Sequence, residues 1–256
     1  SRVRRKADQH LSPPKAGHLI GRSLGNEVRA MTIPEKILAY HGDLAGNEHH
    51  RYRSWEHCYR FFQRLTPSEM ASQRDSAALQ LGFYLASWGM YRGSSFLLQH
   101  AYTVHLGVID CLAALRFSSL WEREFGSDKN DLTLVPTVLA VIRAIREAYA
   151  PFGQPTDTLV TKVILGTLGC LPAFDRYFLD GFKSQGFSYS YLNEPFVKRI
   201  LLFCGNNLAD LRGEQERIER SSGVHYPIMK LVDMYFWQLG YELDTGDAAS
   251  AAQVAF

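Results

Sequence analysis

The 256-residue chain has no two cysteines close enough in sequence for a zinc ribbon or a redox dithiol; Cys58, Cys111, Cys170 and Cys204 stand singly in apolar surroundings. Four scattered cysteines at this length do not make a disulfide framework, so reduced, mostly buried thiols are expected. No apolar run approaches the roughly 20 residues that a bilayer span needs. The longest, around Leu132 to Ile142, is short and interrupted, and the mean hydropathy is −0.17. No apolar stretch follows the basic segment Ser1 to Lys6, so nothing there reads as a secretory signal. A soluble intracellular protein with no membrane partner is the expectation. GxxxxGK[ST], GxGxxG, GxSxG and HExxH are all missing, which removes nucleotide-driven motors, Rossmann dehydrogenases and zincins. His49-His50 beside Arg51 reads as a solvated loop, and His100 and His105 fall on different faces of a helix, so neither a metal nor a cofactor is expected.

What the chain does have is apolar material, 46% of its residues, enough for one large or two small domains. Its charge is unevenly placed. Residues 1–30 hold seven Lys/Arg against two acids, a net +5, and with Pro13-Pro14 and three glycines they read as a basic flexible arm. The other 226 residues hold 21 bases and 24 acids, a net −3. A body of that sign does not bind a polyanion through its average field, so any such binding depends on local positive features.

Periodicity throughout is helical. No period-two alternation and no tandem repeat occurs, so the chain is read as all-α, about ten helices in two lobes. Residues 31–243 form a single domain on this reading, with its lobes meeting near 126–131, and 244–256 form a polar tail. Thr32-Ile-Pro-Glu35 and Thr66-Pro-Ser-Glu69 have the capping-box form. Tyr52, Trp55, Tyr59 and Phe62 recur at helical spacing, while Arg51, Arg53, Arg60 and Arg64 fall mainly on other faces, making a helix with a basic side. Ala77 to Met90 is apolar nearly all round. Ser94 or Ser95 caps a helix running to about Leu115. Helices then follow at Val135 to Tyr149, from Thr156 or Asp157 to Leu168, from Pro172 through Phe178, from Phe196 to Leu211 and from Tyr226 to Leu239.

The most informative stretch, Ile145 to Phe178, reads as helix, Gly/Pro hairpin (Pro151 to Pro155), helix, second Gly/Pro loop (Gly169 to Pro172) and an aspartate near the start of a third helix. A hairpin between helices offers backbone N–H groups and a helix dipole to a phosphate, and an acid nearby can act on the nucleotide so anchored. The segment resembles the helix-hairpin-helix DNA glycosylase superfamily. Asp175 matches the family's essential aspartate, and Lys162 to Gly169 matches the second helix of the motif and the glycine that ends it. The position that carries lysine in the bifunctional lyases falls near Thr158, one helical turn before Lys162. Gly153 is the one clear hairpin-glycine match, and the C-terminal cysteine cluster that holds an iron–sulfur centre in some members is missing.

The resemblance implies a monofunctional glycosylase acting on a base flipped out of double-stranded DNA, a monomer without cofactors. Asp175 is then catalytic, stabilising positive charge on the sugar while water attacks. Gly153, Gln154, Thr156, Thr158, Thr161 and Lys162 hold the DNA backbone. Trp88, Met90, Tyr91 and Arg92, after the apolar helix, form the base pocket or the wedge that fills the gap. The plainer alternatives make Asp175 a first-turn acid favoured by the helix dipole, Trp88 and Met90 core residues, and Arg92 a helix cap. Two other function classes compete. Arg51 and His57 have the RxxxxxH spacing of HEPN-type helical ribonucleases, in which such a pair works on an RNA 2′-OH. The stripe Trp55, Tyr59, Phe62 is material for the groove of a non-enzymatic interaction module.

Overall fold

The computed structural model describes residues 32–254, so the basic arm 1–30 lies outside them. The fold is all-α, with no strand among the described residues. Its helices are α1 (Ile33–Ala45), α2 (Arg53–Gln63), α3 (Pro67–Ser72), α4 (Arg74–Ser87), α5 (Leu106–Leu112), α6 (Ser118–Glu122), α7 (Val135–Tyr149), α8 (Asp157–Gly166), α9 (Arg176–Ser184), α10 (Glu194–Asn206), α11 (Leu208–Ser222) and α12 (Ile228–Val254). None of them is long and apolar enough to cross a membrane.

Local chemistry sets several helix starts. Glu35 accepts the Thr32 backbone N–H, and a full capping box joins Thr66 and Glu69. Thr156 caps α8 through Leu159 N, and Asn193 caps α10 through Phe196 N. α4 ends in a Schellman motif: Gly89 takes the left-handed φ of +73° that a Cβ disfavours, its N–H reaches Ala86 O at 2.9 Å and Met90 N–H reaches Leu85 O at 2.9 Å.

Three segments depart from the periodicity. Residues 94–115 are not one helix. Ser95 does cap, through Leu97 N, but only a 3₁₀ turn, Phe96–Gln99, follows, then a second, Tyr102–His105, then α5. Phe96 and His105 both pack on Tyr149, with ring centroids 5.6 and 5.8 Å away. On a continuous helix, positions nine apart point in opposite directions and sit about 13 Å apart along the axis, so the chain breaks to bring both to one partner. Residues 196–211 divide into α10 and α11 because Asn207 Nδ2 takes the Phe203 carbonyl at 2.8 Å, diverting the ladder. α9 begins at Arg176 rather than Pro172, since Ala173 N donates to Asp233 and Phe174 N to Thr161, away from any helical pattern. α12 continues through residues 244–254, the polar tail of the sequence reading.

The stretch 126–131, expected at the junction of two lobes, is tied to the core at its two ends, Gly126 and Asp131, while Asp128 and Asn130 between them are exposed. Buried Asp131 accepts Gly126 N at 2.7 Å and Asp128 N at 3.1 Å, and Gly126 rests against Cys204, Ile228 and Met229. α12 is the central post, packing on α9, α1 and α11. Its contact with α9 is backbone to backbone: a methyl on Gly181 would overlap the Phe236 carbonyl, and one on Gly240 would overlap that of Tyr177. The stripe Trp55, Tyr59, Phe62 is buried and forms core rather than an open groove, with Trp55 Nε1 donating to Leu165 O at 3.0 Å.

Candidate functional site

Asp175 is fixed from three sides. The loop before it is fastened to α8, where Thr158 Oγ1 donates to Phe174 O at 2.7 Å and Thr161 Oγ1 accepts Phe174 N at 3.0 Å. It is fastened to α12 by Ala173 N, which donates to Asp233 Oδ1 at 3.0 Å. Asp175 itself caps α9, Oδ1 accepting Phe178 N at 3.2 Å, and its Oδ2 takes a hydrogen bond from Lys162 Nζ at 3.1 Å. Its side chain remains one-fifth exposed, on the wall of a cleft of about 570 Å³.

The cleft has two kinds of lining. Trp88, Tyr177 and Trp237 supply aromatic surface, with Tyr177 and Trp237 edge to face at 5.0 Å. Arg51, Arg92 and Arg176 supply positive charge at its edges. Arg176 lies 4.6 Å over Tyr177 and pairs with Asp244 at 2.9 Å. Trp88 reaches the cleft because the Schellman turn after α4 places it at the helix cap, and its ring is held by a stack, Tyr52 at 4.7 Å and then Tyr40 at 5.3 Å.

Below Trp88 lies a second ion pair, Lys230 Nζ to Asp233 Oδ2 at 2.7 Å, both buried. Lys162 and Lys230 place their ammoniums 4.8 and 5.4 Å from the Trp88 ring, so the indole is fixed between cations and tyrosines. Burial raises the Asp233 carboxyl, with Lys230 opposing, and burial together with the Asp233 charge raises the Tyr40 phenol. Trp88 Nε1 is buried with no hydrogen-bond partner, a cost of about 1–3 kcal/mol that native cores rarely carry.

Of the expected wedge, the structure brings Trp88 and Arg92 to the cleft with Asp175. Tyr91 and Met90 are half-buried against the core, and Tyr91 Oη is bonded to His105 Nε2 at 2.6 Å. Most of the residues expected to hold a DNA backbone at the hairpin are buried or bonded internally. Thr161 and Lys162 are buried, so neither reaches a DNA backbone; Lys162 turns to the cleft instead. Thr158 is spent on Phe174 O, and the Gly153 N–H on Tyr149 O at 3.1 Å, with Phe96 packed against Gly153. The first turn of α8 already holds an acid, Asp157, which pairs with Arg146, so its dipole end is compensated without an anion. Only Gln154 and Thr156 of that set are exposed. Arg51 and His57 are likewise not brought together: Arg51 lines the Asp175 cleft and His57 a separate cavity.

Sequence reasoning missed Arg176, Tyr177 and Trp237 on the cleft wall and the Lys230/Asp233 pair beneath it. The last had a signal, two opposite charges three residues apart inside the apolar run from Ile228 to Leu239. Fold and site together define an all-α protein with one acid presented in an aromatic, arginine-edged cleft. Protein-family models, curated proteins and solved structures yield no match to this chain.

Proposed function

We propose that the cleft takes a nucleotide turned out of double-stranded DNA, and that Asp175 serves hydrolysis of the N-glycosidic bond of a damaged or modified base. The observation that carries this is the placement of Asp175, anchored at the α9 cap with one face open to a cavity that offers both ring surfaces and guanidinium groups. The ring edges that Trp88, Tyr177 and Trp237 turn to the cleft suit contact with a base, and Arg51 or Arg92 suits a phosphate beside it. The Asp175 carboxylate then stabilises the oxocarbenium-like sugar as water attacks and the base departs.

Lys162 stays out of the covalent chemistry in this reading. An ammonium donating to Asp175 has no lone pair for attack on the sugar, which favours a monofunctional enzyme over a lyase. The protein is taken as a soluble intracellular monomer that needs no cofactor. The test is release of free base from a panel of duplexes carrying alkylated, oxidised, deaminated and hypermodified bases. Wild type is expected to release at least one, and Asp175→Asn none while still binding that duplex. Release by Asp175→Asn at the wild-type rate overturns the assignment.

A further inference from the structure

α2 shows two faces. Trp55, Cys58, Tyr59 and Phe62 go into the core, whereas His57, Arg60, Phe61 and Arg64, at i, i+3, i+4 and i+7, border a shallow cavity of about 490 Å³ closed by Leu65, Gln73 and Gln80. No acid lines this cavity. Its neighbours have settled elsewhere: Arg53 is held by Glu56 and the Asn47 carbonyl, Gln63 by Thr167 O, and Glu69 by Thr66. Arg60 and Arg64 are exposed, and their guanidiniums have no ion-pair or hydrogen-bond partner among the described residues. Two guanidiniums one turn apart repel, and the buried face of α2 keeps the helix that carries both in place. An arrangement of unspent forked donors, with two carboxamides beside them, suits the oxygens of a phosphoryl group.

We propose that this groove is a phosphoryl-binding site, separate from the Asp175 cleft, in which Arg60 and Arg64 are the principal ligands and Gln73 and Gln80 add hydrogen bonds. Its source is the phosphodiester backbone of the duplex whose nucleotide enters the cleft, an identification that rests on the reading of the cleft given above. Gln80 in this groove and Ser87 in the Asp175 cleft stand two turns apart on α4, about 10 Å along one face, roughly three base-pair steps of a duplex, so one DNA molecule can meet both. The groove thereby takes the anchoring role that the α8 hairpin does not fill.

The full chain and its Arg60→Gln/Arg64→Gln variant are titrated into a fluorescently labelled duplex across a salt series, and inorganic phosphate is titrated into both proteins. Loss of two phosphate contacts is expected to lower the slope of log K against log salt by about 2, and to weaken binding about equally for all duplex sequences, with an unchanged melting temperature. If duplex binding is unaffected but inorganic phosphate binds wild type and not the variant, the groove is a phosphoryl site and its source is a free phosphate. If wild type and variant bind both probes alike, or wild type binds neither, the proposal is overturned. The two readings fail separately. Base release intact, with an unchanged salt slope and no difference in phosphate binding between wild type and variant, sinks the groove alone, and a lowered slope in a protein that releases no base sinks the cleft alone.

Discussion

Lys162 Nζ stands 3.1 Å from Asp175 Oδ2 and 4.8 Å from the centre of the Trp88 ring, so one buried ammonium joins α8, the α9 cap and the end of α4 at the cleft. The pair is asymmetric in exposure, the lysine side chain 4% and the aspartate 20% accessible. Asp175→Asn keeps a capping acceptor but leaves the buried ammonium without its counter-charge. We expect a loss of about 3 kcal/mol. Lys162→Met combined with Asp175→Asn is expected to cost less than the sum of the single changes by at least about 1 kcal/mol. Urea denaturation of the four proteins measures this, and strictly additive effects would show that the contact has no energetic weight.

Gly181→Ala and Gly240→Ala test the backbone contact between α9 and α12. Helix propensity alone favours alanine by about 1 kcal/mol. Here each methyl meets a carbonyl of the opposite helix, Phe236 or Tyr177, and neither can move aside as a side chain does. Net destabilisation of about 3 kcal/mol or more is expected for each, with ligand affinity of the cleft falling as well, because Tyr177 and Trp237 sit on these two helices. A rise in melting temperature in either variant contradicts the packing described.

His105 is fully buried between two phenols, Tyr91 Oη at 2.6 Å and Tyr149 Oη at 2.7 Å, and burial pulls its pKa from 6.5 down to about 4. A base with a depressed folded pKa contributes stability above its unfolded value and loses it as pH falls, since the unfolded chain takes the proton first. Between pH 7 and pH 4 this amounts to about 3 kcal/mol. Denaturation midpoints of wild type should therefore fall more steeply over this range than those of His105→Gln. Parallel curves for the two proteins would remove the assignment.

His225 has the opposite sign. Glu124 and Glu219, at 3.5 and 3.3 Å, raise its pKa to about 9, with Glu124 the larger influence. Its stabilising effect is fully present below pH 6.5 and disappears as pH rises through 9. The residue is half-exposed, so solvent screens the interaction and the effect is small. The stability gap between wild type and His225→Gln is expected to be largest near pH 6 and to close by pH 10. A gap that widens with pH reverses the assignment.

Helical character and several helix starts were legible because they are local. The box at Thr66 to Glu69, the proline-started α7 from Val135 to Tyr149 and the cap at Thr156 depend on residues within a turn of each other. Asp175 was legible as a helix-start acid, whereas its placement on a cleft wall depends on contacts with α8 and α12 that lie far away in sequence. The breaks at His100 and Asn207 were not legible, because Phe96 and His105 share Tyr149 only in three dimensions. The hairpin was misread for a similar reason. Thr158, Thr161 and Lys162 are polar residues that pattern alone reads as surface, and tertiary contacts turn them inward to hold the loop at Phe174 and the carboxylate of Asp175.

By itself the amino-acid order determined that this chain is helical, where many of its helices begin, and that its positive charge must act locally, since each follows from neighbours along the chain or from simple counting. Tertiary structure alone decided which charges are spent and which are free. Arg53 is neutralised by Glu56, Lys162 by Asp175 and Arg146 by Asp157, while Arg60 and Arg64 are left open. Likewise only packing gathers Arg51, Trp88, Asp175 and Trp237 around one cleft. The physical reason is that a side chain's chemistry depends on its partners, and those partners lie on helices that meet only when the core closes.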